Sequence, residues 1–204
     1  EPLLWLQLIA IGAIPLELLL LSLVLAGADL GPIPAFERLF TWALAVLAPT
    51  LVLWQRPADW GSLLLLRRPL KQRSESQRQL SSLQQGLIPR LTLLTGTAAL
   101  LAVFWWIDQS SILIRDLSPL QGSSRLVTLL TAIPLLALVL WQWHQLTQSL
   151  WLLSCSDQSL AQAPSLSDEQ LKLERLSLGL SLLNMPELMP KNANTKSDSK
   201  TEET

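Results

Sequence analysis

The amino-acid sequence predicts an all-α membrane protein. It is expected to have four transmembrane helices, both termini cytoplasmic, a helix in the cytoplasmic loop and a disordered C-terminal tail. Three observations predict this. The 204 residues are 50% hydrophobic and only 15% charged, whereas a soluble domain carries about 25% charged residues. The apolar residues, leucine above all, come in long blocks rather than in alternation. The nine tryptophans fall near the ends of those blocks, where an indole keeps its ring in the apolar zone and its N–H near water.

The first block, Leu3 to Ala28, holds one charge, Glu17, in 26 residues. Ala35 to Gln55 carries Glu37 and Arg38 only at its start. Leu91 to Ile107 is 17 residues without a charge. Leu126 to Leu153 is uncharged too, but turns polar after Trp141 with Gln142, His144, Gln145 and Gln148. A hydrocarbon core of about 30 Å takes roughly 20 apolar residues at about 1.5 Å each. The first, second and fourth blocks reach that length, and the third does once Pro89 opens its helix and Asp108 sits at the interface. The predicted spans are therefore 3–28, 35–55, 90–108 and 126–150, within a transmembrane domain of residues 1–153. Barrel strands would alternate in polarity over about 10 residues, and none of these blocks does. Only helices satisfy the backbone of such runs in lipid. The breaks are punctuated by Gly31-Pro32-Ile33-Pro34, by Pro89, and by Pro119 with Gly122, as helix boundaries require. Pro15, Pro49 and Pro134 fall inside spans, where kinks are expected.

Basic residues set the orientation. The loop 56–90 holds Arg56, Arg67, Arg68, Lys71, Arg73, Arg78 and Arg90 against Asp59 and Glu75, a net +5. The loop 108–125 balances two Arg with two Asp, and 29–34 has no base. The positive-inside rule puts the 56–90 loop in the cytoplasm, and four spans then put both termini there. No secretory signal is expected at the start, since Glu1 is acidic and the block after it is too long. Residues before Glu1 are expected to be missing from a chain that lacks the initiator Met. Trp60 to Arg68 reads as an interfacial turn of helix with snorkelling arginines. Gln72 to Gln85, with Leu80 and Leu83, reads as a polar amphipathic helix on the membrane surface. Arg67, Arg68, Lys71, Arg73 and Arg78 are the candidate basic surface, facing either anionic lipid or a partner.

Residues 154–190 form a predicted cytoplasmic docking segment. Ser167 followed by Gln170 is a capping box, opening a helix at Asp168. Leu176 to Leu182 alternates with strict period two, which fits an extended strip docking on the chain's own loop or on a partner. Lys191 to Thr204 is almost wholly polar and is expected to be disordered. Leu51-Val-Leu-Trp54-Gln55 recurs as Leu138-Val-Leu-Trp141-Gln142, the pattern expected of two parallel hairpins.

The chemistry is sparse. One Cys excludes a disulfide framework and Cys-cluster metal sites, and one His excludes two-His zinc motifs. A net charge of −1 argues against nucleic acid as a partner. Glu17 is the one charge deep in a span, which makes it a functional candidate by default. Its readings are proton relay, cation binding, a bond across helices to Thr or Gln, and a protonated or hydrogen-bonded Glu that simply orients spans 1 and 4. His144 is a candidate axial ligand for a pigment magnesium, against the simpler reading of an interfacial belt residue. Asp59 near Arg56 and Asp116 beside Arg115 read as surface pairs worth little. With no nucleophile–base pair, phosphate loop or metal cluster in view, an enzyme is not expected.

Glu1-Pro-Leu-Leu-Trp-Leu-Gln, Pro15-Leu-Glu17, Pro49 with Leu53-Trp54-Gln and Arg56-Pro57, and the polar tail together resemble the cyanobacterial low-complexity tail membrane proteins. Ala58-Asp59-Trp60 after Arg56-Pro57 departs from that group's aromatic residues. The resemblance implies a cyanobacterial membrane, thylakoid or plasma membrane, and brings no assigned reaction. The expected role is an accessory or assembly subunit of a larger, photosynthetic membrane complex. The alternative is a small transporter or channel subunit built on Glu17. Membrane lipids are the expected partners, with chlorophyll, carotenoid or lipid as contact cofactors.

Overall fold

The computed structural model describes residues 5, 12–60, 62–63, 66–67, 75–84, 86–156, 163–164, 166–176 and 180–181. They are mostly helical. In chain order the elements are α1 (Ala13–Leu25), α2 (Pro34–Gln55), β1 (Ser62–Leu63), β2 (Leu66–Arg67), α3 (Glu75–Leu83), α4 (Leu87–Ser110), α5 (Arg125–Ser154), α6 (Asp168–Glu174) and β3 (Leu180–Ser181). Three helical stretches are long and apolar enough to cross a membrane: α2 with 22 residues, α4 with its 3-10 extension to Leu117 (31 residues), and α5 with 30. The first predicted span is represented by α1, a shorter apolar helix of 13 residues.

Local chemistry explains the boundaries. Pro34 opens α2 at a position whose N–H has no intrahelical partner. Pro89 falls in the first turn of α4, also harmlessly, so that helix starts at Leu87, three residues before its predicted start. Gly122 turns the chain with φ +77°, and Ser124 then caps α5 by accepting the Val127 N–H at 3.4 Å. Inside α2, Ala43–Leu47 widens into a π turn in which the Ala48 N–H reaches back to Ala43 O. Pro49, which has no N–H to give, follows directly, and a π turn is a common way to absorb such a break. By contrast α1 and α5 run on past Pro15 and Pro134. The helix also runs on past Trp141-Gln142 to Ser154, while it ends at Trp54-Gln55, so the two copies of the short motif occupy different positions.

The central element is α5. Against it pack α4, α1 and the π turn of α2, burying Leu21, Leu25, Val46, Leu93, Phe104, Leu136 and Leu140. The faces turned away are apolar as well: Leu16, Leu19, Phe36, Phe40, Leu44, Leu51, Leu94 and Leu130 are exposed. Helices hydrophobic on every side belong in lipid. The antiparallel course brings the end of α1, the start of α2, the end of α4 and the start of α5 to one end of the bundle. The other end carries the 56–86 connection and the segment after α5.

That second end corrects two expectations. The apolar run after Trp60 holds strands of two residues each rather than a helical turn. β1 pairs antiparallel with β2, and β2 pairs parallel with β3, with Leu66 opposite Leu180. Arg68 precedes Pro69, which disfavours helix there, and the period-two segment supplies a strand partner. Ahead of β3, Leu176 bridges Ala58, with Asp59 N–H to Leu176 O and Leu176 N–H to Pro57 O, each 3.0 Å. The extended strip therefore lies along the chain's own loop. Ser167 and Gln170 cap α6 reciprocally, as the sequence spacing predicts. Leu80 and Leu83 on α3 pack with Trp60, Trp151 and Leu152, so this stripe covers protein. The tail 191–204 lies outside the described residues.

Candidate functional site

The polar side chains of the bundle gather in two clusters, one at each end, with Glu17 between them. At the charged end, Asp108 near the end of α4 is 2% exposed and accepts from two guanidinium groups. Arg38 Nε reaches Asp108 Oδ2 at 2.6 Å, and Arg125 donates Nη1 and Nη2 to Oδ1 and Oδ2 at 2.8 Å each. Arg125 Nε also reaches Glu37 Oε2 at 3.1 Å, and the Arg38 guanidinium lies 5.0 Å from the Trp105 ring centre. Two acids and two bases thus tie α2, α4 and α5 together. The planar, bidentate fit satisfies both carboxylate oxygens, the condition under which a buried pair is tolerated. The sequence placed these four residues at span ends but gave no sign that they meet. Beside them Arg115 pairs with Asp29 at 2.5 and 3.1 Å rather than with its neighbour Asp116.

At the opposite, amide end a chain of hydrogen bonds runs between the elements. Gln84 Nε2 donates to Ala58 O at 2.9 Å and to Gln148 Oε1 at 3.1 Å. Gln148 Nε2 lies 2.9 Å from His144 Nε2. The chain has a direction: Ala58 O is only an acceptor, which fixes the Gln84 amide, and that fixes Gln148 as donor to His144. His144 therefore accepts at Nε2 and carries its proton on Nδ1, which is buried with no hydrogen-bond partner. Trp60 Nε1 donates to Ser81 Oγ at 2.9 Å, and Arg175 Nη2 donates to Ser81 O. Arg175 is 3% exposed, and its Nε and Nη1 have no hydrogen-bond partner. Burial pulls its guanidinium below the usual arginine range, opposed by the charges of Glu174 and Asp59. Asp59 is itself buried, which corrects the surface pair expected with Arg56.

Between the ends, Glu17 Oε1 accepts from Gln142 Nε2 at 2.5 Å, joining α1 to α5. Glu17 Oε2 and Gln142 Oε1 are both buried and without a hydrogen-bond partner. Thr50 and Thr97 share a hydrogen bond of 2.7 Å between α2 and α4. Trp42 Nε1 donates to Thr97 O at 3.2 Å, Trp143 Nε1 to Thr92 O at 3.0 Å, and Trp151 Nε1 to Leu83 O at 3.4 Å. These indoles turn inward and join elements, because a buried N–H must find an acceptor. Trp5 and Trp106 are exposed in the manner of belt residues.

Of the sequence-predicted site residues, Glu17 is half-buried and His144 is buried, in separate contacts. Arg67 sits on β2, in register with Ser62 and Ser181, and Arg78 is half-buried on α3. Arg68, Lys71 and Arg73 lie outside the described residues. The residues that sequence reasoning missed are Arg38, Asp108, Arg125, Gln84, Gln148 and Arg175. For Arg38, Asp108, Arg125 and Gln148 the signal was polarity at or near the ends of apolar blocks, which a solvated loop shares, and Gln84 and Arg175 lie in polar segments outside them. Among the described residues no group of three His, Cys, Asp or Glu is arranged to hold a metal ion.

A family model described as low-complexity tail membrane protein-like matches residues 1–187. The match stops just short of the polar tail. Comparison with curated proteins and with solved structures yields no match.

Proposed function

The chain belongs to the low-complexity tail membrane protein-like family, and from that premise we propose that it is a non-catalytic, four-span accessory or assembly subunit of a larger membrane complex. That it is a membrane protein follows from the family and from its long apolar helices. We place it in a cyanobacterial membrane, the thylakoid first, in a photosynthetic complex. Both termini and the net +5 loop face the cytoplasm.

The observation that carries this reading is the construction of the amide end. There the loop, α3, α6 and the C-terminal strip form a small module whose strands β1 and β3 are edges of the sheet order β1-β2-β3. Sheet edges and unpartnered buried polar groups are what a protein partner completes. The basic loop beside it supplies attraction to an acidic partner surface or to anionic lipid.

The experiment is purification from native membranes through a tag on the 191–204 tail, followed by mass spectrometry. Stoichiometric co-migration with a pigment–protein complex is the expected result, and a lone oligomer is the contrary one. A second reading, a small transporter or channel subunit, is favoured by one observation, the Glu17–Gln142 contact in the apolar interior. It requires a reconstituted flux that disappears in Glu17→Gln.

A further inference from the structure

We propose that Glu17 and Gln142 form a proton-binding site within the bilayer: Glu17 holds a proton on Oε2 and donates it to Gln142 Oε1. The inference rests on α1 lying in the membrane and is independent of any partner complex.

The argument is a count of donors. Gln142 Nε2 donates to Glu17 Oε1 at 2.5 Å. That leaves Glu17 Oε2 and Gln142 Oε1, two buried oxygens on the two members of one hydrogen-bonded pair, with nothing donated to either. An ionised carboxyl is acceptor-only and an amide oxygen is acceptor-only, so the ionised pair has two lone oxygens and no proton between them. One proton on Oε2 turns the same two groups into a reciprocal acid–amide ring in which every oxygen has a partner. The partner residue is also the right one. An amide offers a donor and an acceptor side by side, as a carboxylic acid does.

Among the described residues, no cation faces Glu17 to hold it ionised. Helix α1 packs on α5, on α4 and on the 3-10 turn Ser111–Leu117. On α5, Arg125 precedes Gln142 by 17 residues, roughly 25 Å along the helix, and is engaged with Asp108 and Glu37. His144 is two residues from Gln142, about 200° around the helix, with its Nε2 on Gln148. On α4, Arg90 is exposed and stacks over Trp54 at 5.4 Å, while Asp108 belongs to the charged end. In the turn, Arg115 is paired with Asp29, and Asp116 is exposed. Where protein does not cover Glu17, its neighbours Leu16, Leu19 and Leu20 are exposed apolar side chains, so lipid covers it instead. A lone carboxylate there is far costlier than its neutral acid.

The test uses the full chain in liposomes, as wild type, Glu17→Gln and Gln142→Leu. Difference infrared spectroscopy at neutral pH is expected to show a protonated-carboxyl carbonyl band. That band should vanish in Glu17→Gln and shift to higher frequency in Gln142→Leu, where the hydrogen bond is gone. Dicyclohexylcarbodiimide, which is apolar and takes the acid's proton on nitrogen before the carboxyl oxygen adds to its central carbon, is expected to label Glu17. Labelling should fall about tenfold per pH unit once the site titrates. A water-soluble carbodiimide should leave it unlabelled. Absence of the band in wild type, or its persistence in Glu17→Gln, overturns the proposal. So does protection by sodium at constant pH, which would assign the two oxygens to a metal cation. Equal labelling by both reagents overturns it differently, by removing α1 from the bilayer. Circular dichroism of the near-isosteric Glu17→Gln variant confirms that a lost signal is not lost folding.

Discussion

The two ends of the bundle solve the same problem in opposite ways. Each must bring polar groups into a tightly packed, largely apolar structure. The charged end does it with full charges in balance: Glu37 and Asp108 against Arg38 and Arg125, with both oxygens of Asp108 engaged. The amide end does it with a directed chain of neutral groups, Gln84 to Gln148 to His144, beside the buried Arg175 and Asp59. Among the described residues, the charged end holds no buried side-chain nitrogen or oxygen without a hydrogen-bond partner. Gln84 Oε1, His144 Nδ1 and the Arg175 Nε and Nη1 all fall at the amide end. A closed network is a clamp, because removing any member leaves a buried charge behind. An open network is where a ligand, a water or a partner adds the missing bonds. One end is thus closed on itself, and the other keeps buried side-chain atoms without a hydrogen-bond partner.

The sharpest way to break it is Asp108→Asn. Arg38 then loses its carboxylate and Arg125 keeps only Glu37, and the loss is expected to be about 3–5 kcal/mol, read by reversible unfolding in mixed micelles. A smaller loss than that of any amide-end variant would reverse the roles of the ends. Asp29→Asn, which removes the exposed partner of Arg115, serves as the control and is expected to leave stability unchanged.

Next comes the packing between α4 and α5. A Cβ built on Gly96 would stand 2.2 Å from Cδ1 and Nε1 of the Trp143 indole, so the ring lies directly on the bare backbone. Gly96→Val forces that ring away and breaks its bond to Thr92 O, at a cost of about 1–3 kcal/mol for the overpacking. Gly96→Val with Trp143→Ala should recover much of the loss. Failure to recover would mean that the glycine serves the backbone and not the indole.

Third in size is Gln84→Leu, which leaves Ala58 O and Gln148 Oε1 without their donor. Each buried orphan costs on the order of 1 kcal/mol. Because the amide chain is directional, Gln148→Leu should then add little, and a double-mutant cycle measures that coupling. Full additivity would show the two amides to be independent, and the chain no chain.

The sequence makes the apolar helices legible for a reason peculiar to lipid: every face is hydrophobic, so block length alone identifies a span, and Pro34, Pro89, and Pro119 with Gly122 mark the breaks between them. Spans do not say which side meets which, so Asp108 reads as an interfacial residue until α2 and α5 bring Arg38 and Arg125 to it. Glu17 was legible because a charge in the middle of leucines has no bland company. Its partner was not, since Gln142 looks like its neighbours Gln145 and Gln148. The strip at Leu176 was legible as extended from its period of two, but which strand receives it is a long-range fact. Trp60 to Arg68 misled, because four leucines in a row carry no period that separates helix from strand.

Cys155, just past the end of α5 at the amide end, gives the smallest effect and reads how open that end is. It is half-buried, and burial pushes its thiol pKa up. The thiolate is the reactive form, so at neutral pH the folded chain should react with a maleimide more slowly than the same chain unfolded in denaturant. The difference should shrink as pH rises. The linkage has the matching sign. Folding holds the thiol proton more tightly, so this contribution is present while both states are protonated and is lost as pH rises past the unfolded thiol's range. Equal rates in the two states would put Cys155 in water and make the amide end more open than its packing implies. A partner bound over that end should slow the reaction further and leave the unfolded rate untouched, which separates cover by the chain itself from cover by something else.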